Sequence, residues 1–226
     1  MSAFFAWTTD AAAAHIAVPG PSDDKYSRGV LGMITGSQQY PGAAVLGVEA
    51  ALRTGVGMVR YLGPSRPSDL VLQRRPEAVT SAGRVQAWLI GSGMDHVTRD
   101  EAGFEAALSQ GVPLVLDGGA LDLVHRATAP VVITPHYREL ARLLDAPAEA
   151  IAADPATWAV RAHEQLGATV LLKGHTTYVA GEGVRITVRC APAWLATAGA
   201  GDALAGILGA LVATHAEAPN LAELAA

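Results

Sequence analysis

Short apolar runs recur along this chain, each cut off by a glycine or a polar turn and followed by a stretch with helical spacing. Residues 30–35 (VLGMIT), 58–62, 88–90, 114–116, 131–133 and 169–172 have this form, and they read as continuous rather than alternating. A strand of that kind is buried on both faces, which calls for a mostly parallel sheet covered by helices on each side. The segments between supply the helices. Residues 43–53 (AAVLGVEAALR) are rich in helix formers, with Gly55 or Gly57 as the stop. Residues 100–109, 137–144 and 155–166 have helical spacing, and a long apolar helix is expected from Gly199-Ala200-Gly201-Asp202 to about residue 213. Residues 177–180 and 185–189, parted by Gly181-Glu182-Gly183, make a hairpin. The expected fold class is α/β, with a central mostly parallel sheet and helices on both faces. Neither a repeat nor a linker divides the 226 residues, so one domain is expected over 25–226, preceded by an N-terminal segment, 1–24.

Composition removes several function classes. Half of the residues are hydrophobic, which excludes a disordered chain. The single cysteine, Cys190, cannot form an intramolecular disulfide or build a cysteine-rich zinc site. A net charge of −5 without basic runs argues against a nucleic-acid partner. The longest uncharged apolar stretch, 203–213, is shorter than the ~20 residues that a bilayer requires, so no membrane association is expected. The apolar opening, 1–20, lacks a basic start and is interrupted by Asp10, unlike a signal peptide, which makes a cytoplasmic protein the expectation. Of the 16 basic residues only Lys25 and Lys173 are lysines.

Five of the expected strands end in Gly36-Ser37, Gly91-Ser92-Gly93, Asp117-Gly118-Gly119, Thr134-Pro135-His136 and Lys173-Gly174. The carboxyl ends of parallel strands share one edge of the sheet, and ligands bind in the crevice there. Next to that edge stands the run Thr197-Ala198-Gly199-Ala200-Gly201-Asp202. Small residues before a helix let successive amides converge on an anion, favoured by the helix dipole. A carboxylate in the same turn would repel a phosphate, and it makes sense as a general base taking a proton from an attacking hydroxyl. The alternative is an aspartate cap with glycines for close packing.

Lys173-Gly174-His175-Thr176-Thr177 suits a nucleotide's phosphates or ribose, or equally a surface turn with a snorkelling lysine. His136 is placed to bind a substrate or merely to support the turn, with Glu139 as a cap for the helix that follows. Tyr40-Pro41-Gly42-Ala43-Ala44 offers small residues where a flat ligand can approach the backbone, or where helices pack tightly. Asp117 suits either a metal-bound water or the start of a turn.

Taken in order, these segments resemble the family of ADP- or ATP-dependent NAD(P)H-hydrate dehydratases, which is ribokinase-like and related to carbohydrate kinases. Lys25-Tyr26-Ser27-Arg28-Gly29 resembles its opening motif, and Gly36-Ser37 through Gly55 its first strand–helix unit. Ile90-Gly91-Ser92-Gly93, Leu116-Asp117-Gly118-Gly119-Ala120-Leu121, Thr134-Pro135-His136, Leu172-Lys173-Gly174 with Thr177, and Leu195-Ala196-Thr197-Ala198-Gly199-Ala200-Gly201-Asp202 follow in family order.

The resemblance implies repair of hydrated NADH or NADPH: the C6 hydroxyl is phosphorylated by ADP (or ATP), and phosphate then leaves with AMP (or ADP) as the other product. Asp202 would be the base, and Gly199, Ala200 and Gly201 the anion hole. Lys173, Gly174, His175, Thr176, Thr177 and Gly201 would bind the nucleotide. Ala43, Gly91, Gly93, His136 and Asp202 would bind the hydrate. The resemblance also implies Mg²⁺ without a dedicated set of protein ligands, and a homo-oligomer such as a tetramer.

Four features depart from the family pattern. Tyr26 stands in place of a glycine, and Gly119 in place of a frequent second aspartate. Cys190-Ala191-Pro192-Ala193-Trp194 replaces an asparagine- and glycine-containing approach, so bulky Trp194 is expected to alter access to the anion hole. The chain ends at Ala226, which suggests a domain short at its C-terminus, and epimerisation of the hydrate is expected to occur elsewhere. Two other readings remain: a small-molecule kinase of the same superfamily, which would use Asp202 identically, and a non-catalytic nucleotide-binding relative.

Overall fold

The computed structural model describes residues 3–97, 99–189, 191–217 and 220–226, so Cys190 and the first two residues of the apolar opening lie outside the described residues. Among the described residues the strands are β1 (Phe5–Ala6), β2 (Val30–Ile34), β3 (Met58–Tyr61), β4 (Ala87–Ile90), β5 (Leu114–Leu116), β6 (Val131–Ile133), β7 (Thr169–Leu172), β8 (Thr177–Gly181) and β9 (Val184–Val188). They form a single sheet in the order β1-β9-β8-β7-β6-β5-β4-β2-β3. Every pairing is parallel except β7 with β8 and β8 with β9, where the expected hairpin lies. Phe5 and Ala6 pair with Ile186 and Thr187, so the segment set apart by sequence as 1–24 adds an edge strand to the sheet.

Side chains along the inner strands alternate between two apolar layers, which explains the continuous runs. Val30, Ile34, Trp88, Ile90, Leu114, Leu116, Ile133, Val170 and Leu172 enter one core. Leu31, Met33, Leu89, Val115, Val132 and Leu171 enter the other. The first layer is covered by α4 (Glu101–Leu108), a 3₁₀ run (Gly118–His125), α5 (Tyr137–Leu143), α6 (Ala148–Ala153) and α7 (Pro155–Leu166), through residues such as Phe104, Leu123, Leu140, Ile151 and Ala159. The second is covered by α2 (Pro41–Thr54), α8 (Ala200–Thr214) and α9 (Leu221–Ala225), with α3 (Ser65–Arg74) packed on α2. A short helix, α1 (Thr9–Ala13), follows β1 and buries none of its residues. Among the described residues no helix is long and apolar enough to cross a membrane.

The helices that flank the site cross with bare backbone in contact. Gly206 of α8 lies against the carbonyl oxygen of Gly47 in α2, and a Cβ on Gly47 would come within 3.5 Å of the Asp202 carbonyl oxygen. Gly206→Ala would force these helices apart in a packed interior, and the expected cost is about 1–3 kcal/mol by urea denaturation. Gly42→Ala is the control: nothing lies within 4 Å of a Cβ there, so helix propensity alone should leave stability unchanged or slightly raised.

Candidate functional site

The parallel strands end together, and their last residues place a connected polar group on one edge. Asp117 directly follows β5 and is only 5% exposed, so its carboxylate must be satisfied internally. One oxygen, Oδ2, accepts from Ser92 Oγ at 2.9 Å, after β4. The other, Oδ1, accepts from Thr134 Oγ1 at 2.7 Å, after β6, and from Lys173 Nζ at 2.9 Å, after β7. Four adjacent strand ends are thus tied through a single carboxylate. The sequence left Asp117 open as a metal-water ligand or a turn former. Both oxygens accept from protein donors, and the group anchors the lysine.

Lys173 also lies 3.9 Å from Glu139 Oε2. That glutamate closes a capping box at the start of α5: its Oε2 accepts from the His136 amide at 2.8 Å, while His136 Nδ1 accepts from the Glu139 amide at 3.2 Å. The cap expected of Glu139 is therefore present, and His136 is its reciprocal half. The other ring nitrogen, Nε2, lies 3.6 Å from Glu139 Oε1, so both nitrogens of this half-exposed side chain face the same glutamate. The supporting reading of His136 is thus the one these contacts show, and its half-exposed ring borders the sheet edge.

The lysine faces the helix that begins with the glycine-rich run. A Cβ built on Gly201 would lie 3.6 Å from Lys173 Nζ. Gly199 takes a left-handed φ of 88° as the cap residue of α8 and has no side chain to satisfy the helix start. Among the described residues nothing accepts from the amides of Gly201 and Asp202, whereas Ala203 N donates to Gly199 O at 3.0 Å. Two free amides and an ammonium group therefore converge at the start of a 15-residue helix.

Asp202 lies in that first turn, half-buried. Burial pushes its carboxyl above the ordinary aspartate value, the charge of Asp117 pushes it further in the same direction, and Lys173 opposes both. A raised pKa in the folded state means that the fold prefers the protonated acid. The associated stability is present at low pH and is lost as pH rises through the folded value. Asp202→Asn is therefore expected to keep or raise the melting temperature at neutral pH and to flatten its dependence on pH in the acid range. A clear fall in melting temperature at neutral pH would contradict this electrostatic account.

The other expected residues fall on the same edge in two groups. Gly93 packs directly against the Ala43 side chain of α2, and Gly91 packs against the carbonyl of Asp117 and Ala120. Gly91 and Gly93, two residues apart after β4, thus link Asp117 on one side to Ala43 of α2 on the other. Gly174, His175 and Thr176 form the turn from β7 to β8, with Gly174 seated on the Tyr137 ring and His175 exposed, and Thr177 opens β8 opposite Val188. Of that segment, Lys173 is the member placed against Gly201. Trp194 does not fill the anion hole: it is 91% exposed, on a 3₁₀ turn (Ala193–Leu195) ahead of α8. Sequence reasoning missed the hydroxyls of Ser92 and Thr134 as partners of Asp117. Their only sequence signal was a polar residue at each strand end.

The described residues offer no cluster of three or more His, Cys, Asp or Glu side chains able to hold a metal ion.

Comparison with known proteins places these features in context. Residues 31–226 match the family described as NAD(P)H-hydrate dehydratase. The chain is 45% identical over 219 residues to the bifunctional NAD(P)H-hydrate repair enzyme Nnr of Mycobacterium tuberculosis, with 89% of this chain and 44% of that protein covered. It is 34% identical over 227 residues to the ADP-dependent (S)-NAD(P)H-hydrate dehydratase of Xanthomonas campestris pv. campestris, covering 89% of this chain and 78% of that one. In three dimensions it resembles the ADP/ATP-dependent NAD(P)H-hydrate dehydratase of Bacillus subtilis, co-crystallised with ATP/Mg²⁺, with a TM-score of 0.87, 26% identity, and 97% of this chain and 84% of that chain covered. This chain spans less than half the length of the bifunctional relative. The sheet order, the glycine-led helix with its aspartate, and the match over 31–226 agree that this chain belongs to the NAD(P)H-hydrate dehydratase family, with the ribokinase-like fold of its solved relatives.

Proposed function

We propose that this protein restores hydrated NADH or NADPH at the expense of ADP, and that Asp202 is its general base. What carries the reading is the convergence, on one sheet edge, of a carboxylate with a raised pKa, two unpartnered amides and an anchored lysine. The hydrate's C6 hydroxyl gives its proton to Asp202 as its oxygen attacks the terminal phosphorus of the nucleotide. The bond from that phosphorus to the nucleotide's bridging oxygen breaks, and AMP leaves with the bond pair. The amides of Gly201 and Asp202 and the Lys173 ammonium balance the charge on the transferring group. Phosphate then departs from C6, driven by the ring nitrogen's electron pair, and loss of a proton from C5 re-forms the double bond.

Ala43, Gly91, Gly93 and His136 would hold the hydrate. Lys173, Gly174, His175, Thr176, Thr177 and Gly201 would hold the nucleotide, and Gly199 and Ala200 would shape the anion hole. Mg²⁺, bound through the nucleotide's phosphates, would neutralise charge there. ADP is favoured as donor because the Xanthomonas relative is named ADP-dependent, while the Bacillus relative is named for both nucleotides.

The test mixes the protein with hydrated NADH, ADP and Mg²⁺ and follows the absorbance of the reduced nicotinamide ring. Its recovery with equimolar AMP and phosphate is expected. A phosphorylated hydrate that accumulates without recovery would instead make the protein a kinase. ADP binding without any reaction would make it a non-catalytic relative.

A further inference from the structure

Beyond His136, the bend between α5 and α6 borders an open, solvent-facing concavity of 630 Å³, of whose lining only His136 enters the steps above. Its wall carries His136, Arg138, Arg142 and Asp145. Arg138 and Arg142 are one helical turn apart and share a face of α5. Both are exposed, and among the described residues neither guanidinium makes a hydrogen bond or an ion pair. Arginines on neighbouring segments behave differently: Arg99 is paired with Asp122 and Glu101, and Arg126 with Glu101. The wall sets one carboxylate, Asp145, against two guanidinium groups, so it carries net positive charge at neutral pH. Arg142 also borders a second, 250 Å³ cavity that reaches Gly118, at the carboxyl end of β5. That second cavity also carries Asp122 and Glu139, so the cationic wall meets the sheet edge at His136 alone.

We propose that this cavity is an anion subsite, in which Arg138 and Arg142 bind a phosphate of the dinucleotide whose hydrated ring is held near His136. The inference rests on the proposed function and adds to it the residues that recognise the distal half of the substrate. A guanidinium fork matches phosphate oxygens in pairs, and two unpaired forks on one face suit a di-anion or a pyrophosphate. The hydrated ring itself carries no phosphate, so contacts near Asp202 cannot tell a dinucleotide from a smaller alcohol. A phosphate-binding wall leading away from His136 can. In the dinucleotide, that phosphate is either the pyrophosphate common to both coenzymes or the 2′-phosphate of NADPH alone.

The test is the double variant Arg138→Gln/Arg142→Gln, in which both side chains are exposed and folding is not at risk. With saturating ADP, KM for the hydrate should rise about tenfold, as expected for lost charge-assisted contacts, with the effect on KM exceeding that on kcat and KM for ADP unchanged. A rise confined to hydrated NADPH assigns the 2′-phosphate, and an equal rise for both hydrates assigns the pyrophosphate. An unchanged KM for both overturns the subsite.

A second measurement does not depend on turnover: equilibrium binding of intact NADPH and NADH, followed by their fluorescence, to the wild-type protein and the double variant. Weaker binding to the variant supports the subsite even where the wild type fails to repair the hydrate, a failure that would count against the proposed function alone. Equal binding to both proteins, or none to the wild type, overturns it.

Discussion

Asp202→Asn is expected to lower kcat for hydrate repair by about 10³-fold while ADP still binds. The amide is nearly isosteric with the acid and leaves α8 and its free amides in place, so the anion hole should persist. It cannot take the proton from the C6 hydroxyl. Removing a negative charge beside Lys173 and the phosphate site should, if anything, tighten ADP, which separates loss of chemistry from loss of binding. The wild-type acid limb carries the same signature. Because burial and Asp117 hold the Asp202 carboxyl above the usual range, the rate should begin to fall at a pH higher than an ordinary aspartate would give. The measurement is a pair of pH–rate profiles with calorimetric ADP titration. Turnover near the wild-type rate in the asparagine variant would remove Asp202 from the mechanism.

The second large effect is structural in origin. Asp117→Ala removes a buried acceptor from Ser92, Thr134 and Lys173 at once and leaves the ammonium without its 2.9 Å partner. Breaking a buried, hydrogen-bonded ion pair costs about 3–5 kcal/mol, or roughly 10 °C in melting temperature for a domain of this size. Asp117→Asn is the milder probe, since it preserves volume and one acceptor oxygen. It should also move the acid limb of the rate profile toward lower pH, because a charge that raises the Asp202 pKa has gone. Thermal denaturation checks the alanine variant, and a pH–rate profile checks the asparagine one. An unmoved acid limb would show that Asp117 acts only as a scaffold.

Much of this architecture could be read from short-range signals. Residues 114–116, 131–133, 155–166 and 169–172 coincide with the observed elements, because a two-sided apolar strand and a helix closed by a left-handed Gly167 are encoded locally. The helix Ser65–Arg74 escaped notice because a proline at position 67 and a polar exposed face disguise it. The 3₁₀ run Gly118–His125 looked like a loop because its two leading glycines suggested only a turn. Strand β1 has two residues, too few for any period to show, and its place comes from a partner about 180 residues away.

The site divides in the same manner. The run at Gly199 to Asp202 carries its own logic, a helix start with too many free donors, and it was legible as such. The link from Asp117 to Lys173 joins residues 56 apart and depends on which strands lie side by side. The cap at His136 was half visible, through Glu139 three residues later.

The crossing of α2 and α8 bears on how the protein responds to its ligands. Gly47 and Gly206 bring the backbones of the two helices into direct contact where they cross. Ala43, on one helix, and Asp202, on the other, therefore have a spacing set by this backbone contact. Gly206→Ala should accordingly lower turnover as well as stability, because that crossing sets where the carboxylate stands relative to α2.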